Sequence, residues 1–264
     1  MKKVSVLLCL CLLLVGCGVG SDIVTVEGST SLELMLGFLT EGYEKETGKR
    51  VNFNPTGSSA GIEAVLSGRC SVGAVSRELT VTESEKLDLI PLAIDTIVVI
   101  VNLQNPIMDL SVDEISAIFK GEVTNWSALG GSDRPIVPVG REQGSGTRDV
   151  FETATDTKGK CRYIQELTSA GDVITAVRSN ENAIGYTSLE AVGDNVRVLS
   201  FNGVAPTIDN ITSSTYRLGR RFSLVVSKDR RLSEAEREFL IFAISEKGAH
   251  YIELCGAIPL YGRR

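Results

Sequence analysis

The segment Arg141 to Arg148, which reads Arg-Glu-Gln-Gly-Ser-Gly-Thr-Arg, combines a permanent cation, two hydroxyls and glycine-flanked backbone amides. The β-like run Pro135 to Gly140 precedes it, and Val150, Phe151 and Ala154 are spaced for one face of a following helix. A helix N-terminus leaves N–H groups unpaired, and glycine lets a ligand approach them closely. The segment therefore predicts an anion-binding helix start, with a Ser or Thr N-cap after a glycine turn as the purely structural alternative.

Two other segments repeat this order of strand, Gly-Ser turn and helix start. Gly28-Ser29-Thr30-Ser31 follows the apolar run Ile23 to Val26, and Gly57-Ser58-Ser59-Ala60-Gly61 follows Val51 to Phe53. A further apolar run ends at Ser76, and ligands of open α/β sheets bind where strands end. If these turns converge, they surround a small oxyanion.

The overall charge limits how such an anion can be held. The chain has 264 residues, 43% of them hydrophobic, and a formal net charge of −6. This composition is globular and long enough for one large or two modest domains. An acidic chain without a basic helix argues against nucleic acid as a partner, so local dipoles and one or two arginines must bind the anion.

The first residues have the pattern of a secretory signal peptide. Lys2 and Lys3 precede an apolar run from Val4 to Val15, which is shorter than the ~20 residues that a membrane-spanning helix needs. Gly16-Cys17 resembles the lipobox of bacterial lipoproteins. That resemblance implies a signal peptide over residues 1–16, diacylglycerol on the Cys17 thiol, and a tether over residues 17–22 at the outer face of the cell membrane. An ordinary secreted protein cut nearby is the alternative.

Cysteine and histidine usage favours neither a metal site nor a cofactor. Three of the six cysteines, Cys70, Cys161 and Cys255, fall in the folded part, where one disulfide and one free thiol are expected, with the pair left open. There is no Cys-x-x-Cys motif, and His250 is the single histidine, so no zinc-type cluster is predicted.

The order of elements is that of an α/β protein with a long central β-like run. A helix is predicted from about Leu32 to Thr47. The run Leu89 to Val101 is interrupted by Asp95 and Thr96, and we interpret it as two strands or as one strand leaving a first domain. Its counterpart is Arg221 to Ser227. This arrangement predicts two α/β lobes, with the chain crossing between them and returning.

Complete catalytic motifs are missing, which argues against an enzyme. The pattern Gly-x-Ser-x-Gly fails around Ser145, because Gln143 occupies the position of the first glycine. Gly140 to Thr147 has the spacing of a P-loop, but Gly146 stands where the essential lysine would be.

On these motifs, together with Gly73-Ala74-Val75-Ser76 and the segments Ile118 to Gly121 and Asn125-Trp126, the chain resembles the periplasmic phosphate-binding proteins of ABC importers. The resemblance covers nearly all of the mature chain. It implies an α/β, two-lobed periplasmic-binding-protein fold of type II, with the ligand in a cleft between lobes joined by two crossing strands. Lobe I would comprise residues 23–95 and 224–264, and lobe II residues 96–223.

The resemblance also implies a function and a set of ligand residues. The protein would be a monomeric, lipid-anchored binding protein that delivers inorganic phosphate to the membrane permease subunits of an ABC importer. The residues placed around the phosphate are Thr30, Ser31, Ser58, Ser76, Arg141, Ser145, Gly146 and Thr147.

One position departs from the family pattern. Ser76 stands where the family usually has an aspartate that accepts a hydrogen bond from protonated phosphate. Another tetrahedral oxyanion, such as sulfate, molybdate or tungstate, is therefore an alternative ligand. An adhesion or signalling lipoprotein is the alternative function.

Overall fold

The computed structural model describes residues 23–262, and within them helices and strands alternate. The α-helices are Glu33–Thr47 (α1), Ser58–Leu66 (α2), Val81–Lys86 (α3), Val112–Lys120 (α4), Gly146–Ala154 (α5), Ala170–Ser179 (α6), Ile208–Thr212 (α7), Glu234–Ala243 (α8) and Glu246–Leu254 (α9). The strands are Val24–Gly28 (β1), Val51–Pro55 (β2), Val72–Val75 (β3), Leu87–Val101 (β4), Asp109–Leu110 (β5), Val137–Arg141 (β6), Gln165–Leu167 (β7), Ala183–Ser188 (β8), Arg197–Val198 (β9), Ser200–Phe201 (β10), Gly219–Ser227 (β11) and Ile258–Pro259 (β12). Short 3₁₀ turns occupy Thr30–Leu32, Trp126–Leu129 and Leu189–Ala191.

The main sheet has the strand order β2-β1-β3-β11-β4-β8-β6-β7, with β9 and β12 also pairing with β4. The strands that precede the predicted hydroxyl turns run in parallel: β1 pairs with β2 and β3, and β6 with β7 and β8. Parallel strands end at the same edge of a sheet, so the turns after β1, β2 and β3 are brought together. The α/β class expected from the sequence is confirmed.

Strand β4 is the element shared by both halves of the molecule. Its first part, Leu87 to Thr96, pairs with β11, and its second part, Ile97 to Val101, pairs with β8. The interpretation of this run as two strands is wrong, and that of one strand leaving a first domain agrees with the structure. Both β11 and β8 are antiparallel to β4, so the backbone hydrogen bonds continue when the partner changes.

Two large hydrophobic cores lie along this strand, and a smaller cluster contains its first residue, Leu87. Leu92 and Ala93 of β4 pack in one core with α1 and α8, whereas residues 97–101 pack in the other with α4 and α6. On the return path, Leu218 belongs to the second core and Phe222 to the first. The chain therefore crosses between the cores at β4 and again at the start of β11. The exact lobe limits given above stay a prediction.

The disulfide expectation is not met, because Cys70, Cys161 and Cys255 are all free thiols. They belong to three different hydrophobic clusters, which keeps them apart. The predicted signal peptide, Cys17 and the tether lie outside the described residues. Within residues 23–262, no helix combines the length and the apolar character needed to cross a membrane.

The position of α2 against β1 depends on a glycine. A Cβ atom on Gly61 would lie 2.5 Å from the carbonyl oxygen of Glu27 and 2.6 Å from the Cα atom of Gly28. Gly37 in α1 is the matched control, because nothing lies within 4 Å of a Cβ built there.

We expect Gly61→Ala to destabilise the protein by about 1–3 kcal/mol through overpacking. Gly37→Ala should stabilise it by about 0.5–1 kcal/mol, since alanine in a helix interior loses less conformational entropy on folding than glycine. Urea unfolding of both variants measures the two changes. Changes of the same sign in the free energy of unfolding of the two variants would contradict this account of how α2 packs.

Candidate anion-binding site

Three helix starts meet in the middle of the molecule. The 3₁₀ turn that leads into α1 begins after Ser29, α2 begins after Gly57, and α5 begins after Ser145. Ser29 and Ser145 are N-caps in the expected sense: the Ser29 hydroxyl accepts from the N–H of Ser31, and that of Ser145 accepts from the N–H of Arg148. The first-turn N–H groups that the caps do not use remain available to a ligand.

A cluster of five buried hydroxyls lies at these helix starts. The Ser29 hydroxyl donates to Oγ of Ser76 at 2.8 Å, and Oγ of Ser76 lies 3.3 Å from Oγ of Ser58. Oγ of Ser31 lies 2.6 Å from Oγ1 of Thr147. Each of these five residues is at most 3% exposed. We call Ser29, Ser31, Ser58, Ser76 and Thr147 the hydroxyl cluster.

Gly146 lets α5 approach this cluster from the opposite side. A Cβ atom at this position would lie 2.5 Å from Oγ of both Ser58 and Ser76. The N–H of Ser59 donates to the carbonyl of Gly144 at 3.2 Å, which adds a backbone contact between α2 and the turn before α5. Glycine at position 146 is thus required by the close packing of the two helix starts.

Arg141 is buried, with its side chain only 2% exposed, but one edge of its guanidinium is already occupied. Its Nε and Nη2 donate to the two carboxylate oxygens of Glu142 at 3.1 and 2.9 Å. The same nitrogens also donate to the backbone carbonyls of Leu167 and Thr168. Within the described residues this leaves Nη1 as the guanidinium nitrogen of Arg141 without a protein acceptor.

Ser145 and Thr30, two further predicted ligands, differ in whether the hydroxyl already has a hydrogen-bond partner. The Ser145 hydroxyl serves as the cap of α5, so its backbone geometry is fixed by the helix it begins. Oγ1 of Thr30 is buried and has no hydrogen-bond partner among the described residues. Thr30 and Ser31 also border a cavity of about 700 Å³ between α1 and α6, whose other wall includes Ile174 and Glu190.

Four residues that the sequence analysis did not select belong to the same region. Ser29 is part of the first hydroxyl turn and contacts Ser76 directly. Asp95 accepts from Nε of Arg220 at 2.7 Å and from the hydroxyl of Ser188 at 2.5 Å. Nη1 of Arg220 in turn donates to Oγ1 of Thr147 at 2.8 Å. The interruption of the long apolar run at Asp95 was the sequence signal for this buried pair.

The electrostatics of the pair are those of two desolvated charges. Burial raises the pKa of Asp95 and lowers the pKa of Arg220, because it disfavours the charged form of each, and their mutual attraction opposes both shifts. Burial, with the Asp95 charge as the second cause, also raises the pKa of Glu190 to about 9. The direction of this shift favours the protonated form of Glu190 beside Asp95.

Comparisons with known proteins place this geometry in a family. Residues 17–247 match the model of the PBP superfamily domain. The chain is 26% identical over 253 residues to the phosphate-binding protein PstS of Borreliella burgdorferi, with 90% of each chain covered.

Two solved structures are similar in both sequence and fold. A phosphate ABC transporter substrate-binding protein from Clostridium perfringens, solved with bound phosphate, is 33% identical with a TM-score of 0.85, over 90% of this chain and 99% of that one. An ABC-type phosphate transport receptor from Vibrio cholerae is 32% identical with a TM-score of 0.74, over 89% of this chain and 99% of that one. The chain thus belongs to the PBP superfamily and, within it, to the PstS-like phosphate-binding proteins.

Proposed function

We propose that this protein captures inorganic phosphate between its two cores and delivers it to the permease subunits of an ABC importer. The observation that carries the proposal is the buried hydroxyl cluster at three helix starts. The relatives named phosphate-binding proteins, and the similar structure with bound phosphate, support the same ligand.

The geometry provides donors without requiring a basic surface. A buried oxyanion must exchange its hydration shell for fixed donors, and hydroxyls and first-turn N–H groups supply them with no net charge. Arg141 supplies a charge-assisted donor through Nη1, while Glu142 holds the other edge of the guanidinium in place. Thr30, Ser145 and Gly146 complete the proposed set of ligand residues with Ser31, Ser58, Ser76 and Thr147.

We propose a binding role without catalysis. A nucleophilic serine needs an adjacent general base, and the hydrogen-bond partners of the hydroxyl cluster among the described residues are other hydroxyls, backbone groups and the Arg220 guanidinium. The only histidine, His250, lies in α9. The similar Clostridium perfringens protein is named a substrate-binding protein of an ABC transporter, which supports a binding role.

The proposal includes the location of the protein. A signal peptide over residues 1–16 and lipidation of Cys17 would hold a monomer at the outer face of the cell membrane, beside the importer. Mass spectrometry of the purified membrane-bound protein tests this part, since an unmodified Cys17 would contradict it.

A second ligand, sulfate, is favoured by the geometry at Ser76. Its Oγ accepts from the Ser29 hydroxyl and lies 3.3 Å from Oγ of Ser58, so its own hydrogen can be directed to Ser58 or to a ligand. A donor at this position suits a fully deprotonated oxyanion as well as it suits phosphate. The exposed Glu78 and the Arg141-bound Glu142 do not offer a carboxylate in the hydroxyl cluster.

Arg141→Ala should weaken phosphate binding by about 10- to 150-fold, because a hydrogen bond to a charged group is worth roughly 1.5–3 kcal/mol. Arg50→Ala is the control, since Arg50 is an exposed arginine that also pairs with a glutamate. Calorimetric titration with phosphate measures both. If Arg141→Ala binds phosphate within threefold of the wild-type affinity, Arg141 is not a ligand of the phosphate.

Ser76→Asp should raise the preference for phosphate over sulfate by at least about tenfold, or ~1.4 kcal/mol. A carboxylate can only accept, so it binds the proton of phosphate and repels the unprotonated sulfate, whereas a hydroxyl can donate to either oxyanion and carries no repulsive charge. Ser76→Asn supplies the same shape without the charge. Competition titrations with sulfate compare the wild type with both variants. Unchanged selectivity in Ser76→Asp would show that another residue recognises the proton of phosphate.

Phosphate should also compact the protein, because the site is built from elements of both cores. The contacts Ser31 to Thr147 and Ser59 to Gly144 join the two sides of the site. Small-angle scattering should show a smaller radius of gyration with saturating phosphate, and Arg141→Ala should need a higher phosphate concentration to show the same change. Superimposable wild-type profiles would contradict closure by a hinge.

A further inference from the structure

Arg220 connects the crossing strands to the start of α5. It lies near the beginning of β11, and its side chain is only 2% exposed. Nε donates to Asp95 on β4, and Nη1 donates to Thr147 in the first turn of α5. The guanidinium therefore reaches beyond its ion pair to a member of the hydroxyl cluster.

The third nitrogen of this guanidinium is unsatisfied. Nη2 of Arg220 is buried and has no hydrogen-bond partner among the described residues. Leaving a buried donor of a charged group without an acceptor is costly, and such groups are rare in native proteins. A bound oxyanion beside Thr147 would supply the missing acceptor.

The geometry of Arg141 creates a need for a second cation. Glu142 occupies the Nε–Nη2 edge of Arg141, so this residue cannot present that edge to two oxygens of one ligand. In Arg220, Asp95 occupies only Nε, Nη1 donates to Thr147, and Nη2 is left without an acceptor among the described residues. Burial is the main cause of the lowered pKa of Arg220, and the charge of Arg141 is a smaller cause in the same direction, so the two guanidinium groups lie near each other.

We propose that Arg220 is a second guanidinium ligand of the bound oxyanion, held in place by Asp95 and donating through Nη2 beside Thr147. The inference rests on the proposed function, since it adds a ligand residue to the same site. It differs from a purely structural role, in which Arg220 only joins β11 to β4 through Asp95. It also assigns Asp95 and Ser188 as residues that position this cation.

The test must remove the cation without leaving a buried carboxylate unpaired. Arg220→Gln alone would leave the buried Asp95 carboxylate without its ion-pair partner. The informative protein is therefore Asp95→Asn/Arg220→Gln, in which both partners are neutral. Asp95→Asn alone retains the guanidinium. Arg221→Gln is the matched control, because Arg221 is the adjacent arginine on the same strand but is exposed. Thermal unfolding without ligand reports the stability of each variant.

Calorimetric titration with inorganic phosphate, and separately with sulfate, gives the affinities. We expect Asp95→Asn/Arg220→Gln to bind phosphate at least about tenfold more weakly than the wild type, consistent with a lost charge-assisted hydrogen bond. Arg221→Gln should stay within threefold of the wild type. A folded double variant that also binds phosphate within threefold of the wild type would overturn the proposal while leaving the proposed function intact.

Nitrogen-15 NMR of the arginine side chains provides a second measurement on the wild-type protein, which does not depend on folding of the double variant. Phosphate should shift the Nη resonances of Arg220 and leave those of Arg221 unchanged. Unshifted Arg220 resonances at saturating phosphate would overturn the proposal. A wild-type protein that binds neither phosphate nor sulfate would overturn both this proposal and the proposed function.

Discussion

The constraint on which this structure depends is the cost of removing a multiply charged anion from water inside an acidic protein. Every hydration bond that is lost must be replaced by a fixed donor, and a broad basic surface is not available at a net charge of −6. Helix starts meet this demand because their unpaired N–H groups and hydroxyls are donors that add no net charge. The cations that are present, Arg141 and Arg220, are each bound to a carboxylate on the edge away from their remaining donors.

The sheet brings these donors together through one long strand. Because β4 pairs with β11 over its first part and with β8 over its second, both cores share a continuous hydrogen-bonded element. Asp95 lies close to the point where the partner changes, and its bond to Arg220 links β4 to β11 across the same point. The Arg220 side chain therefore connects the crossing between the two cores to the candidate anion site.

Local chemistry explains which features could be predicted from the sequence. Caps and glycine turns involve residues within a few positions of one another, so the helix starts at Ser29, Gly57 and Ser145 follow from short motifs. The role of Arg220 depends on Asp95, 125 positions away, and on Thr147, 73 positions away, which no local pattern contains. Similarly, the partly occupied edge of Arg141 follows from side-chain conformation, and the sequence predicts only that the two charges are adjacent.

The direction of the hydrogen bonds explains why the residue at position 76 matters. The N–H of Ser31 donates to the Ser29 hydroxyl, which donates to Ser76, and the hydrogen of Ser76 can be directed to Oγ of Ser58 or to a ligand. Replacing this serine with an acceptor would leave the first two bonds intact, because Ser29 can donate equally well to a carboxylate. The framework of hydroxyls thus tolerates either kind of residue. What changes is whether the site distinguishes a protonated oxyanion from an unprotonated one, or responds only to charge and shape.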